Sequence, residues 1–324
     1  QKVVTTKMRS FNMNDKKHLF QTGLVFISSL IFFFSCKSAK LSEAEEKQKI
    51  GEYYEAASIY RKVYTKTSPT KRDLRGYIAY HMAECNRMIN NTDKAISGYM
   101  NALRYNYPDS IINLRLGQML QRKGRYAEAI KQYDSYLAYN PRSQLAFNGI
   151  EGCNNAPQWK KNPTRYEVKH MEKFNSRRSE FSPMLTGEKY DQLYFASSRT
   201  KDKEAKLNAI TGQHNNNFFL VKQDEKGNWL APTELEDEVN TEFDEGTPSF
   251  TTDGNTMYYT YCSQDETSNR TSEIYVSNRS SAKWGKGSRV NIVKDSITAL
   301  GHPAISPDGK YLYFVSDAIG GFGG

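Results

Sequence analysis

Gly301 to Ser316 reads GHPAISPDGKYLYFVS, and the architecture of the C-terminal half turns on it. Pro307 sets up a bend, and Asp308-Gly309 supply residues that tolerate positive φ. The spacing predicts two strands joined by a two-residue hairpin turn. After the turn, Leu312, Phe314 and Ser316 alternate with Tyr311, Tyr313 and Val315. Large residues on both faces predict a strand packed on two sides. The unit recurs. Pro248 lies 55 residues before Pro303 and is followed by Thr251-Thr252-Asp253-Gly254 and Met257-Tyr258-Tyr259. A looser copy begins at Pro183, 65 residues before Pro248, with Thr186-Gly187 at the turn and Leu193 to Ser197 after it. Eight residues ahead of each proline stands Asn175-Ser176, Asn240-Thr241 or Asp295-Ser296. Phe218 to Trp229 and Ile274 to Trp284 each predict a further strand ending in a tryptophan turn, the tryptophans again 55 apart.

Several short strands repeated at a period on the order of 40 to 50 residues predict propeller blades. The pattern P-x-x-S-P-D-G-K-x-L-x-F-x-S, followed by Gly320-Gly321-Phe322-Gly323-Gly324, resembles the PD40 (WD40-like) repeat of periplasmic propellers. In that family the glycine run leads into Asp-Ile-Tyr. The second copy has Ser272-Glu273-Ile274-Tyr275-Val276-Ser277 at that place, and the chain stops before the third copy reaches it. Gln1 is not a start residue and Met13 opens a cleaner frame, so a partial reading frame with an incomplete propeller is expected.

From Leu41 to Ala156 the period becomes helical. GEYYEAASIYRKVY (51–64), NTDKAISGYMNALRY (91–105) and GRYAEAIKQYDSYLAYNP (124–141) align on Ala56, Ala95 and Ala129. Tyr60, Tyr99 and Tyr133 follow four residues on, and Tyr64, Leu103 and Leu137 after those. The spacings are 39 and 34 residues, and the pattern resembles the tetratricopeptide repeat. Gly117 and Ala129 are expected to let paired helices approach, with Tyr133 filling the space between repeats. The first helix, Lys40 to Ile50, is almost wholly polar and is expected to be a solvent-facing cap. Arg142 to Cys153 is expected to close the array. Pro157 to Thr164 is polar and proline-rich, the best linker in the chain, with Trp159 expected to pack on a domain surface.

Residues 13–36, MNDKKHLFQTGLVFISSLIFFFSC, have a signal-peptide layout: Lys16-Lys17, an apolar run from Leu24 to Phe34, then Ser35-Cys36. The run is short of the ~20 residues a spanning helix needs. Ser35-Cys36 resembles the bacterial lipobox, apart from Phe33 where leucine is usual, which implies lipidation of Cys36. Lys37-Ser38-Ala39-Lys40 lacks the acidic run that resembles a surface-export signal, and so implies a periplasmic face.

The chain of 324 residues has a net charge of +9. Five Lys/Arg against Asp15 in residues 1–35 account for +4 of it, and the rest is dispersed, which argues against nucleic-acid binding. Cys85, Cys153 and Cys262 form no C-x-x-C, so no zinc site and no cofactor is expected, and buried free thiols are the simplest reading. No histidine lies in H-E-x-x-H or H-x-H; His302, directly before its proline, is expected to bond the blade edge. No G-x-S-x-G elbow and no P-loop is present, so no catalytic residue is assigned. Glu234 to Glu238 and Glu242 to Glu245 are expected to form a solvated rim. The resemblance to tetratricopeptide repeats implies a concave groove that binds protein partners. It is lined by Tyr77, Tyr80, Glu84 and Arg87 in the second repeat, and by Leu114, Gln118, Gln121 and Arg122 in the third. Arg87, Gln121 and Arg122 have no reason to be buried.

The fold expected is multidomain α+β: residues 1–36 upstream and leader, 37–156 solenoid, 157–165 linker, 166–324 incomplete propeller. That order resembles the OmpA-family lipoproteins of Bacteroidetes that serve the type IX secretion system. The resemblance implies a non-catalytic scaffold on the periplasmic face of the outer membrane. It would hold protein partners of a secretion or gliding complex, take outer-membrane lipid through Cys36, and meet peptidoglycan only through a C-terminal domain outside this sequence. A propeller-gated peptidase lacking its hydrolase domain and a TolB-like envelope protein stay open as alternatives.

Overall fold

The computed structural model describes residues 40–202, 204–236, 238–263, 272–281, 283–295 and 297–321. Cys36 and the leader lie outside the described residues. The described chain opens with helix α1, residues 40–49. Then come α2 (Tyr53–Lys66), α3 (Arg72–Met88), α4 (Thr92–Arg104), α5 (Ile111–Arg122), α6 (Tyr126–Leu137) and α7 (Gln144–Lys161). Short turns make consecutive helices pack as hairpins, and α7 covers α5 and α6. The aligned alanines explain the spacing. Ala56, Ala95 and Ala129 are fully buried, and Tyr60, Tyr99 and Tyr133 lie sealed one turn further on. A buried phenol needs a partner for its hydroxyl. Each tyrosine finds it on the first helix of its own repeat: Tyr60 donates to Gln48 Oε1 at 2.9 Å, Tyr99 to Glu84 Oε1, and Tyr133 to Gln121 Oε1 at 2.6 Å. Glycine makes room for the last of these rings. A Cβ on Gly117 would lie 2.8 Å from the Tyr133 ring, and one on Gly149 of α7 2.5 Å from it.

Two expectations for this half are corrected. Residues 157–161, read as linker, continue α7 with Pro157 inside it. Proline removes one main-chain donor, and so close to the helix end only one hydrogen bond is forfeited. Trp159 is 61% exposed on that last turn instead of packing on a domain surface. Residues 163–179 then contain neither helix nor strand.

The strands are β1 (Glu180–Thr186), β2 (Gln192–Ser197), β3 (Asn217–Lys222), β4 (Thr233–Glu234), β5 (Asp244–Phe250), β6 (Thr256–Cys262), β7 (Ser272–Ser280), β8 (Lys283–Trp284), β9 (Ser288–Arg289), β10 (Leu300–Ile305) and β11 (Leu312–Ser316). They form a four-stranded sheet β1-β2-β3-β4, a five-stranded sheet β5-β6-β7-β8 with β9 also on β7, and the hairpin β10-β11. The three opening hairpins repeat in detail. In each, the register skips at a bulge: between Phe181 and Met184, Gly246 and Ser249, Gly301 and Ala304. The residue just before each aligned proline sits in the left-handed region, Ser182 at φ 51°, Thr247 at 49° and His302 at 52°. The bulge accounts for the prolines: a bulged position needs no ladder N–H, so proline fits there.

Other local expectations change. The two-residue turn at Asp308-Gly309 is a four-residue loop closed by Ser306 N donating to Tyr311 O at 2.8 Å, with Gly309 at φ 71°. Thr251 and Thr256 close the second copy in the same way, with Gly254 at φ 68°. The tryptophan segments are hairpins: Trp284 lies on β8, and Trp229 bridges back to Gln223. Tyr194, Ala196, Phe218 and Leu220 of the first sheet bury against Phe250, Met257, Tyr259 and Trp284 of the second. There the Phe218 and Tyr259 rings meet edge to face at 5.4 Å. Trp229 packs on the first sheet's other face, edge-on to Phe174 at 5.8 Å. The hairpin lies on the second sheet through His302 N to Thr260 Oγ1 at 2.8 Å and Ile305 N to Ser249 Oγ at 3.0 Å. His302 thus bonds the neighbouring sheet through its backbone N–H.

Candidate functional site

The first helices of the repeats stand side by side and are joined by polar contacts. Tyr77 of α3 donates to Glu45 Oε1 of α1 at 2.7 Å, and His81 Nδ1 lies 3.0 Å from Gln48 Oε1. Between α1 and α3 opens a cleft of about 660 Å³. Its walls are Glu45, Gln48 and Lys49 of α1, Tyr53 and Tyr60 of α2, and Tyr77, His81, Glu84, Arg87 and Met88 of α3. Residues i, i+3 and i+4 share a helix face, which is why Glu45, Gln48 and Lys49 line it together.

His81 is the centre of an aromatic nest. Tyr60, Tyr77 and Tyr80 lie 5.9, 4.2 and 5.2 Å from its ring. Burial lowers the pKa of His81, so the imidazole is neutral at pH 7. Burial lifts Tyr80 to about 12 and raises Tyr77 as well, where Glu45 adds to the effect. Burial also works to raise Glu84, but hydrogen bonds from Arg87 and Tyr99 outweigh it and hold the carboxyl below its ordinary value. Arg87 Nη2 meets Glu84 Oε2 at 2.7 Å. Near neutral pH the cleft therefore offers aromatic faces, a neutral imidazole and a Glu84–Arg87 pair, with charged Lys49 at its exposed edge. Such a surface binds and orients a ligand.

Of the residues expected to line a groove, Tyr77, Glu84 and Arg87 come together in this cleft. Tyr80 stacks on Tyr107 at 4.9 Å beside it. Leu114 is a correction: it is 2% exposed and belongs to the core that α5 shares with α6. Its neighbours Ile112 and Leu116 are buried too, so the apolar stripe of α5 includes it. Gln118 accepts from Arg115 Nη1 at 3.3 Å, Gln121 is half-buried beneath Tyr133, and exposed Arg122 donates to Asn90 Oδ1 at 3.2 Å. Arg87 is half-buried too, drawn in by Glu84. The reading of α1 as a polar cap missed Glu45, Gln48 and Lys49; their i, i+3, i+4 spacing was the available signal. His81 was missed as well, four residues after Tyr77 on the same face.

A second concavity, about 530 Å³, lies among the opening hairpins of the sheets, with Thr247, Thr260, His302, Asp244, Asn216 and Phe181 in its walls. The acidic run expected as a solvated rim is drawn into the fold here. Asp244 accepts from Asn216 N at 2.8 Å and Asn208 Nδ2 at 2.9 Å, and Glu245 is fully buried. The signal was the serine or threonine four residues ahead of the strand glutamate, Ser176 before Glu180 and Thr241 before Glu245. Each donates its hydroxyl to that carboxylate at 2.5 Å. Cys85 and Cys153 are buried free thiols, and Cys262 is half-buried and free. Among the described residues no group of three or more His, Cys, Asp or Glu is placed to hold a metal ion. No helix there is long and apolar enough to cross a membrane.

The family model described as tetratricopeptide repeat matches residues 77–110 and 113–143. These are tetratricopeptide repeats. The first match starts within α3 and takes in α4, the second takes in α5 and α6, so the repeats supply the α3 wall of the cleft. Among solved structures, the chain is similar to the UNC-45 chaperone studied for binding and folding muscle myosin. Identity there is 16% and the TM-score 0.34, over 42% of this chain and 17% of that one. It is also similar to the C-terminal repeat domain of a Plasmodium falciparum FK506-binding protein, at 19% identity and TM-score 0.34, over 39% and 91% of the two chains. The Sgt2 repeat domain from Aspergillus fumigatus gives 17% and 0.32, over 41% and 88%. No curated protein matches.

Proposed function

We propose that this protein is a non-catalytic scaffold whose tetratricopeptide array holds a segment of a partner protein in the cleft between α1 and α3. The observation that carries this reading is the cleft itself, open, aromatic and lined from consecutive first helices of the array. Tyr and Arg are the residue types that dominate protein interfaces, and Tyr53, Tyr77 and Arg87 are all present. The strand-rich half is read as the first two blades and the start of a third in a PD40-like propeller. Support comes from the four-strand meander shared by two sheets, the bulge ahead of every aligned proline and the face-to-face packing of the sheets. The domain limits proposed are 37–156, 157–165 and 166–324, the first now extended by the end of α7.

The cellular setting rests on the resemblance to PorE-like OmpA-family lipoproteins of the type IX secretion system. On that reading the chain is held by lipid on Cys36 at the periplasmic face of the outer membrane. It binds partners in a secretion or gliding complex, and peptidoglycan contact belongs to a domain beyond this sequence. Cys36→Ser then abolishes labelled palmitate incorporation and leaves an unprocessed precursor; equal labelling of the variant removes the lipoprotein reading.

The scaffold reading is tested in cells with a photo-crosslinking residue at Met88, on the cleft, and at Met100 of α4, away from it. The two side chains are 45% and 50% exposed, so accessibility is matched. A crosslinked partner is expected from Met88 alone, and Tyr77→Ala is expected to abolish it. Equal crosslinking from both positions, or indifference to Tyr77→Ala, places the partner elsewhere.

A further inference from the structure

The N-terminus of α2 is capped by a loop from the other half of the chain. The residue before the helix, Glu52, makes no side-chain cap. The first turn of any helix leaves main-chain N–H groups without intrahelical partners. Here Tyr54 N donates to Ala209 O and Ile210 O, both at 3.1 Å, and Glu55 N to Ala209 O at 3.2 Å. Both acceptors lie in the long connection between β2 and β3. Gly212 of the same loop, at φ 70°, lies so close under the Tyr54 ring that a Cβ there would be 2.2 Å from Tyr54 Cδ2.

The loop is built for this contact. Asn208 is 4% exposed and holds both ends of it. Its Oδ1 accepts from Ile210 N at 2.8 Å, which turns the two acceptor carbonyls outward together. Its Nδ2 donates to Asn215 Oδ1 at 2.8 Å and to Asp244 Oδ2 of β5 at 2.9 Å. Gln213 Oε1 accepts from Ser179 Oγ and Ser198 Oγ at 2.9 and 3.0 Å, tying the loop to the first sheet as well.

The helical array is thus joined to the sheets twice. The covalent connection leaves from α7 at one end of the array, and the loop meets α2 at the other. We propose that residues 208–213 are an intramolecular clamp that fixes the helical array against the sheets at both ends and so holds the repeats at one curvature. A stack of repeats touching only their neighbours bends easily along its axis. Tied at both ends, it presents a preorganised cleft, and a partner is spared the entropy of straightening or closing it.

Amide exchange in the full chain, followed by NMR, tests the clamp directly. Tyr54 and Glu55 are expected to exchange at least ~10-fold more slowly than an uncapped first turn allows. Asn208→Ala is expected to abolish that protection while the amides of α4 and α6 keep theirs. Tyr54→Ala, which leaves the loop sequence intact, should raise the radius of gyration in small-angle scattering as the array swings. Fast exchange at Tyr54 and Glu55 in the native chain overturns the proposal. So does Asn208→Ala with protection retained, or Tyr54→Ala with an unchanged scattering profile.

Discussion

Glu245 should make the sheets less stable as the solution becomes more alkaline. The residue is fully buried on β5. Its Oε1 accepts from Thr241 N at 3.2 Å and Thr241 Oγ1 at 2.5 Å, and its Oε2 has no partner. The first sheet shows what is missing. Register pairs Glu180 with Ser197 and Glu245 with Tyr261, so the two glutamates are equivalent. Two residues past Ser197 comes Arg199, whose Nη2 meets Glu180 Oε1 at 2.8 Å. Two residues past Tyr261 comes Ser263. Burial therefore pushes the Glu245 carboxyl from its ordinary 4.5 up to about 8, against the Thr241 bonds and with some help from the Asp244 charge.

The folded chain keeps a proton on Glu245 across a range in which the unfolded chain has lost it. Wherever the folded state binds more protons, stability falls as pH rises. The fall starts near pH 4.5, the unfolded value, and ends near pH 8, the folded one. At ~1.4 kcal/mol per decade of proton affinity, that interval sets a ceiling of ~5 kcal/mol. Glu245→Gln keeps an acceptor for Thr241 and removes the titration. The measurement is the urea midpoint of wild type and Glu245→Gln from pH 4.5 to pH 9, read by tryptophan fluorescence. The variant's advantage should be near zero at the acid end, grow through neutrality and level off above pH 8. Parallel curves, or a variant that is the weaker at pH 8, refute the reasoning.

Gly117→Ala drives a methyl into the Tyr133 ring at 2.8 Å, and such overpacking costs ~1–3 kcal/mol, seen as a lower midpoint in the helical circular-dichroism signal. An unchanged midpoint would mean that the helices part freely. Tyr133→Phe loses a bond to a neutral amide and should cost ~1 kcal/mol, whereas Tyr99→Phe loses one to the Glu84 carboxylate and should cost ~1.5–3 kcal/mol. Equal losses contradict the assignment of a charged acceptor. Arg199→Met leaves Glu180 mostly buried without its cation, at a cost of ~3 kcal/mol. Because hydrogen bonds from Ser176 and the Arg199 contact outweigh burial and hold Glu180 below its ordinary value, that cost is full at neutral pH and shrinks as acid protonates the carboxylate. A cost that grows on acidification reverses the sign and rejects the pairing.

The periodicities carried most of the architecture, because they count positions that must be small or aromatic. The alanine and tyrosine spacings located α2, α4 and α6 and the residues at their centres. The prolines marked three bulges that share one backbone conformation. What could not be read was set by partners distant in sequence. Nothing around Glu245 announces burial, since its environment is made by Asn216 and Thr241 across a sheet junction. Leu114 looked like a groove residue from repeat position alone, and the packing of α5 decided otherwise. Arg87 and Gln121 looked free because their acceptor and donor, Glu84 and the Tyr133 hydroxyl, are visible only once the helices are paired. The loop that caps α2 lies about 150 residues from it, a distance no local pattern spans.

The third opening hairpin offers an independent check on Glu245. Its register pairs Leu300 with Ser316, which puts Leu300 at the position of Glu180 and Glu245. Leu300 is 2% exposed, so the repeat accepts a buried aliphatic side chain there. The three copies thus answer one burial in three ways: a paired carboxylate, a neutral carboxyl and a hydrocarbon. If the carboxyl of Glu245 is only a burden to the fold, Glu245→Leu should be tolerated. The variant loses the acceptor for Thr241, but Thr241 is exposed and water can replace it. It also removes an unpartnered buried oxygen, and substituting an apolar group of similar shape for a buried polar one is often neutral or stabilising. Glu245→Leu should therefore match Glu245→Gln at pH 8 and show the same flat pH response. A loss of more than ~2 kcal/mol, the range for a buried charged group's hydrogen bonds, would mean that the Thr241–Glu245 contact holds the start of β5 in place. The carboxyl would then be kept for its bonds, at the cost of its titration.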